Sequence, residues 1–146
     1  MQQKVYLAPF YIIAATFIGI GDTLYLAYYH VLGLTPTCAV GGCEIVLNSP
    51  YSSPWGIVPL SYVGLVFYLY FLALAVLLAI DPTSRGLKFG LLAYATIGLL
   101  FSIFFEIFQY FVIHALCMYC AISAVTTLIL FCLAIWHWRG TKVSHN

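Results

Sequence analysis

The chain has 146 residues, of which 64% are hydrophobic and only 6% are charged, and its mean hydropathy is +1.06. About a quarter of the residues of a water-soluble domain are usually charged, so this composition excludes a soluble globule and indicates an integral membrane protein. The formal net charge of +1 leaves no basic stripe, which excludes nucleic acid as a partner.

Four apolar stretches are long enough to cross a bilayer, which takes about 20 helical residues. We place them near 6–32, 62–80, 89–113 and 117–137. The first gap, 33–61, is long and rich in Pro, Gly and Ser, and its CEIVLN segment could form a short interfacial helix. DPTSRGLK is a short turn and VIHAL a tight bend. We therefore predict an all-α integral membrane four-helix bundle, a single redox domain over residues 1–146, with a long loop between helices 1 and 2.

The cations predict the orientation of this bundle. Lys4 precedes the first helix, Arg85 and Lys88 lie between the second and third, and Arg139 and Lys142 follow the fourth. With four spans these segments share one face, which the positive-inside rule assigns to the cytoplasm. We expect a multi-pass protein of the plasma or inner membrane, with cytoplasmic termini and an extracytoplasmic loop. A signal peptide is the alternative for the first stretch, but its apolar run is longer than a signal core.

Four of the five cysteines form two close pairs at the predicted extracytoplasmic end, where disulfides persist. One pair, Cys117 and Cys120, opens the fourth helix in HALCMYCAIS. A helix N-terminus favours the thiolate of Cys117, whereas Cys120, one turn deeper, would face the bundle interior, where a lipid-soluble partner could approach. A disulfide closing so short a loop stabilises little, so this C-x-x-C pair suits redox exchange better than bracing.

The second pair, Cys38 and Cys43, lies in CAVGGC, where Gly41 and Gly42 make a flexible connection. A movable dithiol can pass electrons from a soluble donor to a membrane acceptor through mixed disulfides. Two alternatives remain, a structural zinc site with C-x4-C and C-x2-C spacings and a pair of inert structural disulfides. Cys132, about 18 Å farther along the fourth helix than the C-x-x-C, is expected to be a packing residue.

These motifs, in this order, resemble the vitamin K epoxide reductase family, especially its bacterial and archaeal members. The resemblance covers essentially the whole chain, with CAVGGCEIVLNSPYSSPWGIVPLSYVG after the first helix and CMYC at the head of the last. It implies a membrane thiol-disulfide oxidoreductase that oxidises a thioredoxin-like exported protein and supports disulfide formation. The electrons would pass to a membrane quinone of the ubiquinone, menaquinone or vitamin K type. No thioredoxin-like domain follows the fourth helix, so we expect the protein partner to be separate.

The resemblance also implies residue roles. Cys117 and Cys120 would be the active-site pair, with Cys120 nearest the quinone. Cys43 would exchange with Cys117, and Cys38 would meet the external thiol protein. Ser49 matches the family's loop serine, which helps to cap the quinone pocket.

The quinone pocket can be argued only partly from sequence. Tyr51, Trp55 and Ile57 of SPYSSPWGI lie near the predicted mouth and offer aromatic and apolar walls to a flat ring. Vertebrate members of the family carry a Tyr four positions after the C-x-x-C and an Asn at the start of the second helix, where this chain has Ala124 and Leu60. These departures argue against epoxide reduction and leave quinone reduction open.

Two carboxylates, Asp22 and Glu106, belong to no cysteine motif. Both helices run outward, and the rise of about 1.5 Å per residue puts the two acids at similar depth, near the C-x-x-C. Intramembrane acids suggest function, although a polar contact between helices is the simpler explanation. Reduction of a quinone consumes two protons, so we expect Glu106, and less directly Asp22, to deliver protons or to orient a polar network.

A different class of protein is the remaining alternative, a four-helix transporter or assembly subunit whose outer loop is stapled by disulfides. Such a protein would need a polar path across the bilayer. Charged residues are nearly absent from the cytoplasmic halves of the predicted helices. The sequence therefore favours the oxidoreductase.

Overall fold

The protein is described by a computed structural model that covers residues 2–39, 41–53 and 58–142. Four of the helices in this part of the chain are long and apolar enough to cross a membrane. They are α1 (Gln2–Val31), α3 (Leu60–Ile80), α4 (Arg85–Phe108) and α5 (Met118–Lys142). The described residues contain no strand. The predictions of an all-α fold and of a multi-pass membrane protein are therefore confirmed.

The segment between α1 and α3 contains the short helix that we expected in CEIVLN, α2 (Cys43–Leu47). A 3-10 turn, Pro50–Ser52, follows α2. The Ser49 hydroxyl donates to the carbonyl oxygen of Val46 at 2.7 Å, and the Ser52 hydroxyl donates to that of Ser49 at 2.8 Å. The same two carbonyl oxygens also accept the backbone N–H groups of Ser49 and Ser52, so the hydroxyls add a second hydrogen bond to each carbonyl in the turn that follows α2.

The turn at the other end of the bundle, between α3 and α4, is fixed by Asp81. Its carboxylate accepts hydrogen bonds from the backbone N–H of Thr83 at 3.1 Å and from the Thr83 hydroxyl at 2.7 Å. These bonds lower the pKa of Asp81, because they stabilise its charged form. The short turn makes α3 and α4 antiparallel neighbours.

The bundle packs α1 against α3 and α5, and α4 against α5. Glycines allow the closest approaches, because a β-carbon at Gly19 of α1 would collide with the ring of Tyr68, and one at Gly98 of α4 would collide with the ring of Phe67. The central core is built from small, branched and aromatic side chains of all four long helices, including Ile12, Ala15, Phe71, Leu78, Leu91 and Leu130.

One face of α4 turns inward, because it is buried as far as Gly98 and partly buried at Ser102 and Phe105. Lys88, Leu91, Ala95 and Gly98 are buried at alternating spacings of three and four residues, and the same stripe ends at Gln109, which is fully buried. Such spacing places side chains on one side of a helix. The inward stripe of α4 therefore delivers a polar side chain to the end of the bundle where α2 lies.

The bend predicted at VIHAL consists of a π-helical turn, Gln109–Ile113, followed by His114 in the left-handed conformation with φ 55°. Few residues other than glycine adopt a left-handed φ, and here it reverses the chain within a few residues. The start of α5 is thereby brought back to the end of α4. The backbone N–H of Cys117 donates to the side-chain oxygen of Gln109 at 3.0 Å.

Candidate functional site

Four cysteine sulfurs meet at the end of the bundle where α2 lies. Cys38 and Cys43 form a disulfide, with their Cα atoms 5.9 Å apart. The Sγ of Cys117 lies 3.4 Å from the Sγ of Cys43, although the two residues are 74 positions apart in the chain. Cys117 and Cys120 are free thiols that interact with each other. The four cysteines singled out in the sequence are thus brought together.

A glycine permits the contact between the loop disulfide and Cys117. Gly42 is packed so tightly against the bend before α5 that a β-carbon on it would collide with the carbonyl oxygen of Leu116. Gly41 has φ +73° and open space around it, so its backbone conformation rather than packing requires glycine. Cys43 and Val46 of α2 and Cys117 together form a buried cluster.

Cys117 immediately precedes α5, where backbone N–H groups have no carbonyl partner within the helix. Interaction with the Cys120 thiol lowers the pKa of Cys117, and the backbone N–H groups of Cys120 and Tyr119 act in the same direction, while burial opposes them. The side chain of Cys117 is fully buried. The lowered pKa increases the fraction of thiolate at this sulfur, which faces Cys43.

A cavity of about 550 Å³ lies inside the bundle, beside α2. Cys120 is part of its wall, whereas Cys117 and the loop disulfide are not among the described residues that line it. The C-x-x-C pair therefore has one sulfur in contact with the loop disulfide and the other at the cavity. A volume of this size is in the range of small-molecule sites.

The cavity wall is mostly apolar and aromatic, with a few polar groups. Its apolar part includes Leu26, Val63, Phe67, Ile97, Phe101 and Phe105. Polar side chains in the wall include Asp22, His30, Ser61, Tyr68, Glu106 and Ser123. A wall of this composition suits a flat apolar ring that carries hydrogen-bonding groups.

Two of the polar groups in the cavity wall, Tyr68 and Asp22, differ in how many hydrogen-bond partners they have. The Tyr68 hydroxyl lies 2.9 Å from both the carbonyl oxygen and the hydroxyl of Ser123, and 3.1 Å from the hydroxyl of Thr127. By contrast, Oδ2 of Asp22 is buried and has no hydrogen-bond partner among the described residues. Tyr68 thus ties α3 to α5, while Asp22 keeps an open hydrogen-bonding position.

The residues predicted to form the quinone pocket do not all lie in the cavity wall. Glu106 lies in the cavity wall, but Ser49 and Tyr51 are not among the described residues that line it. Ser49 supports the end of α2, and the ring of Tyr51 packs against Phe108 with centroids 5.1 Å apart. Trp55 and Ile57 lie outside the described residues.

Cys132, expected to be a packing residue, is exposed instead. In a chain this apolar, cysteine is tolerated on the outer surface of a spanning helix, so the residue type does not tell which face it occupies.

Sequence reasoning missed two residues near the C-x-x-C, Gln109 and Tyr68. The inward stripe of α4 was a usable signal for Gln109, because extending its spacing of three and four residues reaches this polar side chain. Tyr68 had no such signal, since the chain contains 12 tyrosines and α3 is apolar on every side.

The model of the vitamin K epoxide reductase family matches residues 10–135. No curated protein matches the sequence at a significant level. The matched range covers most of the chain, so the protein belongs to the vitamin K epoxide reductase family and is a membrane thiol-disulfide oxidoreductase.

Proposed function

We propose that this member of the vitamin K epoxide reductase family is a single membrane redox domain that oxidises a separate, exported thioredoxin-like protein and reduces a membrane quinone. One observation carries the proposal. The sulfurs form a continuous path, since Cys43 is bonded to Cys38 and lies 3.4 Å from Cys117, and Cys120 lines the cavity. A path of this kind is what successive disulfide exchanges need.

The first exchange takes place at the loop. A thiolate of the protein partner attacks Cys38, which breaks the Cys38–Cys43 bond and leaves the electron pair on Cys43. The second thiol of the partner then displaces Cys38, so the partner leaves with a disulfide and the loop holds two reduced cysteines. Attack at Cys38 is favoured because Cys43 is buried, whereas Cys38 is only partly buried.

The second exchange passes the electrons inward. The Cys43 thiolate attacks Cys117 of an oxidised C-x-x-C, and the electron pair leaves on Cys120. Cys38 then attacks Cys43, which restores the loop disulfide and leaves Cys117 and Cys120 reduced. An oxidised loop beside two free thiols is the arrangement described above. From it, the C-x-x-C pair gives two electrons and two protons to the quinone and becomes a disulfide again.

Glu106 and Asp22 are proposed to transfer protons to the quinone in that last step. Both line the cavity that Cys120 lines. Glu106 interacts electrostatically with Cys120, and Asp22 with Cys117 and Tyr68. A carboxyl group at a cavity wall can hold a proton and transfer it to a nearby acceptor, and a quinone oxygen is such an acceptor.

The loop between α1 and α3 is proposed to cover the quinone ring. Val46 and Leu47 of α2 line the cavity, and the Ser49 hydroxyl holds the carbonyl of Val46. Ser49 would therefore shape the pocket by fixing α2 rather than by contact. Tyr51 would act from outside the wall, through its packing on Phe108.

The rival function, a transporter or assembly subunit with a stapled loop, explains fewer observations. A stapled loop needs its disulfide, but it does not need a buried free thiol 3.4 Å from that disulfide or a second thiol at a cavity. Inert bracing also does not account for the lowered pKa of Cys117. The redox function uses all of these features.

Cysteine labelling tests the proposed orientation, in which the cysteine end is extracytoplasmic. Arg85 begins α4 and Ser53 belongs to the segment after α2, so the order of the helices puts them at opposite ends of the bundle. In a variant without native cysteines, Arg85→Cys and Ser53→Cys should react with a membrane-impermeant maleimide from opposite sides of the membrane. Labelling of both from one side would contradict the orientation.

The quinone step is tested by mixing the reduced protein anaerobically with ubiquinone or menaquinone and following the loss of free thiols. We expect rapid loss in the wild type and in Cys132→Ser, which removes a thiol outside the path. In Cys120→Ser, the thiols of Cys38, Cys43 and Cys117 should stay reduced, because the variant has no cysteine sulfur at the cavity where the quinone would bind. If the wild type keeps its thiols with both quinones, the proposed quinone reduction is wrong.

A further inference from the structure

A glutamine that the proposed relay does not use lies against the C-x-x-C pair. Gln109 is fully buried, and its Oε1 accepts the backbone N–H of Cys117 at 3.0 Å. Its Nε2 is also buried and makes no well-formed hydrogen bond with any described residue. The same side chain interacts with the sulfur of Cys120. The carbonyl end of the amide is therefore held by a hydrogen bond, whereas its NH₂ end has no hydrogen-bond partner in the described part of the chain and belongs to a side chain that interacts with the Cys120 sulfur.

An unpaired buried N–H group costs free energy, so its presence calls for an explanation. The inward stripe of α4 and the π-helical turn that begins at Gln109 place this amide beside the C-x-x-C. A neutral N–H donor gains most when the neighbouring acceptor becomes an anion. The sulfur with which this side chain interacts, that of Cys120, is the one that receives the electron pair when the C-x-x-C disulfide opens in the proposed relay.

We propose that Gln109 is a positioning residue for the C-x-x-C pair. Its carbonyl oxygen holds the backbone of Cys117, and its free N–H group donates to the thiolate that leaves on Cys120 when Cys43 attacks Cys117. In that step the Cys43–Cys117 bond forms, the Cys117–Cys120 bond breaks, and the electron pair goes to Cys120. The inference rests on the proposed relay and adds a group that stabilises its leaving thiolate.

Stabilising the leaving thiolate has two consequences. The exchange becomes faster, because disulfide exchange accelerates as the leaving thiol becomes a better leaving group. The reduced pair also becomes more stable relative to the disulfide, because a sulfur of the reduced pair, which shares the negative charge of Cys117, accepts a hydrogen bond better than a disulfide sulfur does. This shifts the equilibrium of the pair with glutathione. Among the described residues, the titratable groups that interact with the C-x-x-C thiols are the two cysteines themselves, Glu106 and Asp22. They remain unchanged in the variants below.

The first test measures the equilibrium of the C-x-x-C pair in glutathione redox buffers. It uses the full chain with both loop cysteines replaced by alanine and needs neither quinone nor protein partner. Gln109→Leu should move the equilibrium about tenfold toward the disulfide, which is about 30 mV for a two-electron couple. Thr126→Val is the matched control, because it also removes a side-chain hydrogen bond of a buried residue in a spanning helix, from Thr126 to Ile122. It should leave the equilibrium unchanged.

The second test uses Gln109→Glu and the rate at which dithiothreitol reduces the C-x-x-C disulfide. At low pH the introduced carboxyl is protonated, so it still accepts from Cys117 and donates to Cys120. At high pH it is an anion without a donor, and it repels the leaving thiolate. The rate relative to the wild type should therefore fall at least tenfold between about pH 6 and about pH 9.

A purely structural role would not produce this pH profile, and the test remains decisive if Gln109→Leu does not fold. A constant rate ratio for Gln109→Glu across this pH range would overturn the proposal, as would an unchanged equilibrium in a folded Gln109→Leu. Both measurements omit the quinone, so a failure of quinone reduction in the wild type would be recognised separately.

Discussion

The tight contact between Gly42 and the bend before α5 predicts that Gly42→Ala separates the loop disulfide from the C-x-x-C pair. The added β-carbon would overlap with the carbonyl oxygen of Leu116, a backbone atom that cannot rotate away. The loop would have to retreat by roughly 1 Å to restore van der Waals contact. Gly42 adjoins Cys43, so the same movement would lengthen the 3.4 Å gap between the sulfurs of Cys43 and Cys117.

The size of the effect follows from how steeply reaction rates depend on alignment. A displacement of about 1 Å between reacting groups lowers a rate by about 100-fold. The collision is also expected to lower the free energy of unfolding by about 1–3 kcal/mol, the usual cost of overpacking. The rate effect is the larger of the two for function, because the folded protein persists while the sulfurs meet less often.

The assay uses a protein that keeps only Cys43 and Cys117 and follows their cross-linking under a mild oxidant by mass spectrometry. Gly42→Ala should cross-link about 100-fold more slowly. Gly21→Ala is the control for a glycine substitution in open space, and Gly41→Ala is the control for backbone strain in the same loop, since its φ is +73° with nothing nearby. If Gly42→Ala cross-links as fast as Gly21→Ala, the close approach does not position Cys43.

Two further predictions concern the order of the relay and the source of protons. Cys120→Ala should accumulate a mixed disulfide between Cys43 and Cys117, whereas Cys38→Ala should reduce quinone with small dithiols but lose the protein partner. Equal loss of both activities in Cys38→Ala would contradict the proposed order. Glu106→Gln should slow quinone reduction more at high pH, where protons from water are scarce, and unchanged kinetics between about pH 5 and pH 9 would make the residue structural.

The amino-acid sequence by itself determined the four membrane spans, the short helix after CAVGG and the bend before the C-x-x-C. These features depend on local properties of the sequence. A membrane span needs only enough consecutive apolar residues, and a bend needs only residues that terminate the preceding helix. Helix ends were less accurate, because the predicted third span began at 89 and α4 begins at Arg85. Hydropathy marks where lipid begins, whereas hydrogen bonding marks where a helix begins, and α4 includes two cations before its apolar part.

Only the tertiary structure decided which side chains meet. A helix that is apolar on every side, such as α3, carries no signal for the face that turns inward, so neither Tyr68 nor the cavity could be derived from it. The contact of Cys43 with Cys117 joins residues 74 positions apart, and it depends on the absence of a side chain at Gly42. Likewise, the contacts of Ser49 with Val46 and of Tyr51 with Phe108 could not be derived from the sequence, and the roles predicted for these two residues at the quinone pocket remain predictions. The spacing of cysteines predicts the chemistry, but the packing of helices decides which sulfur faces the loop and which faces the cavity.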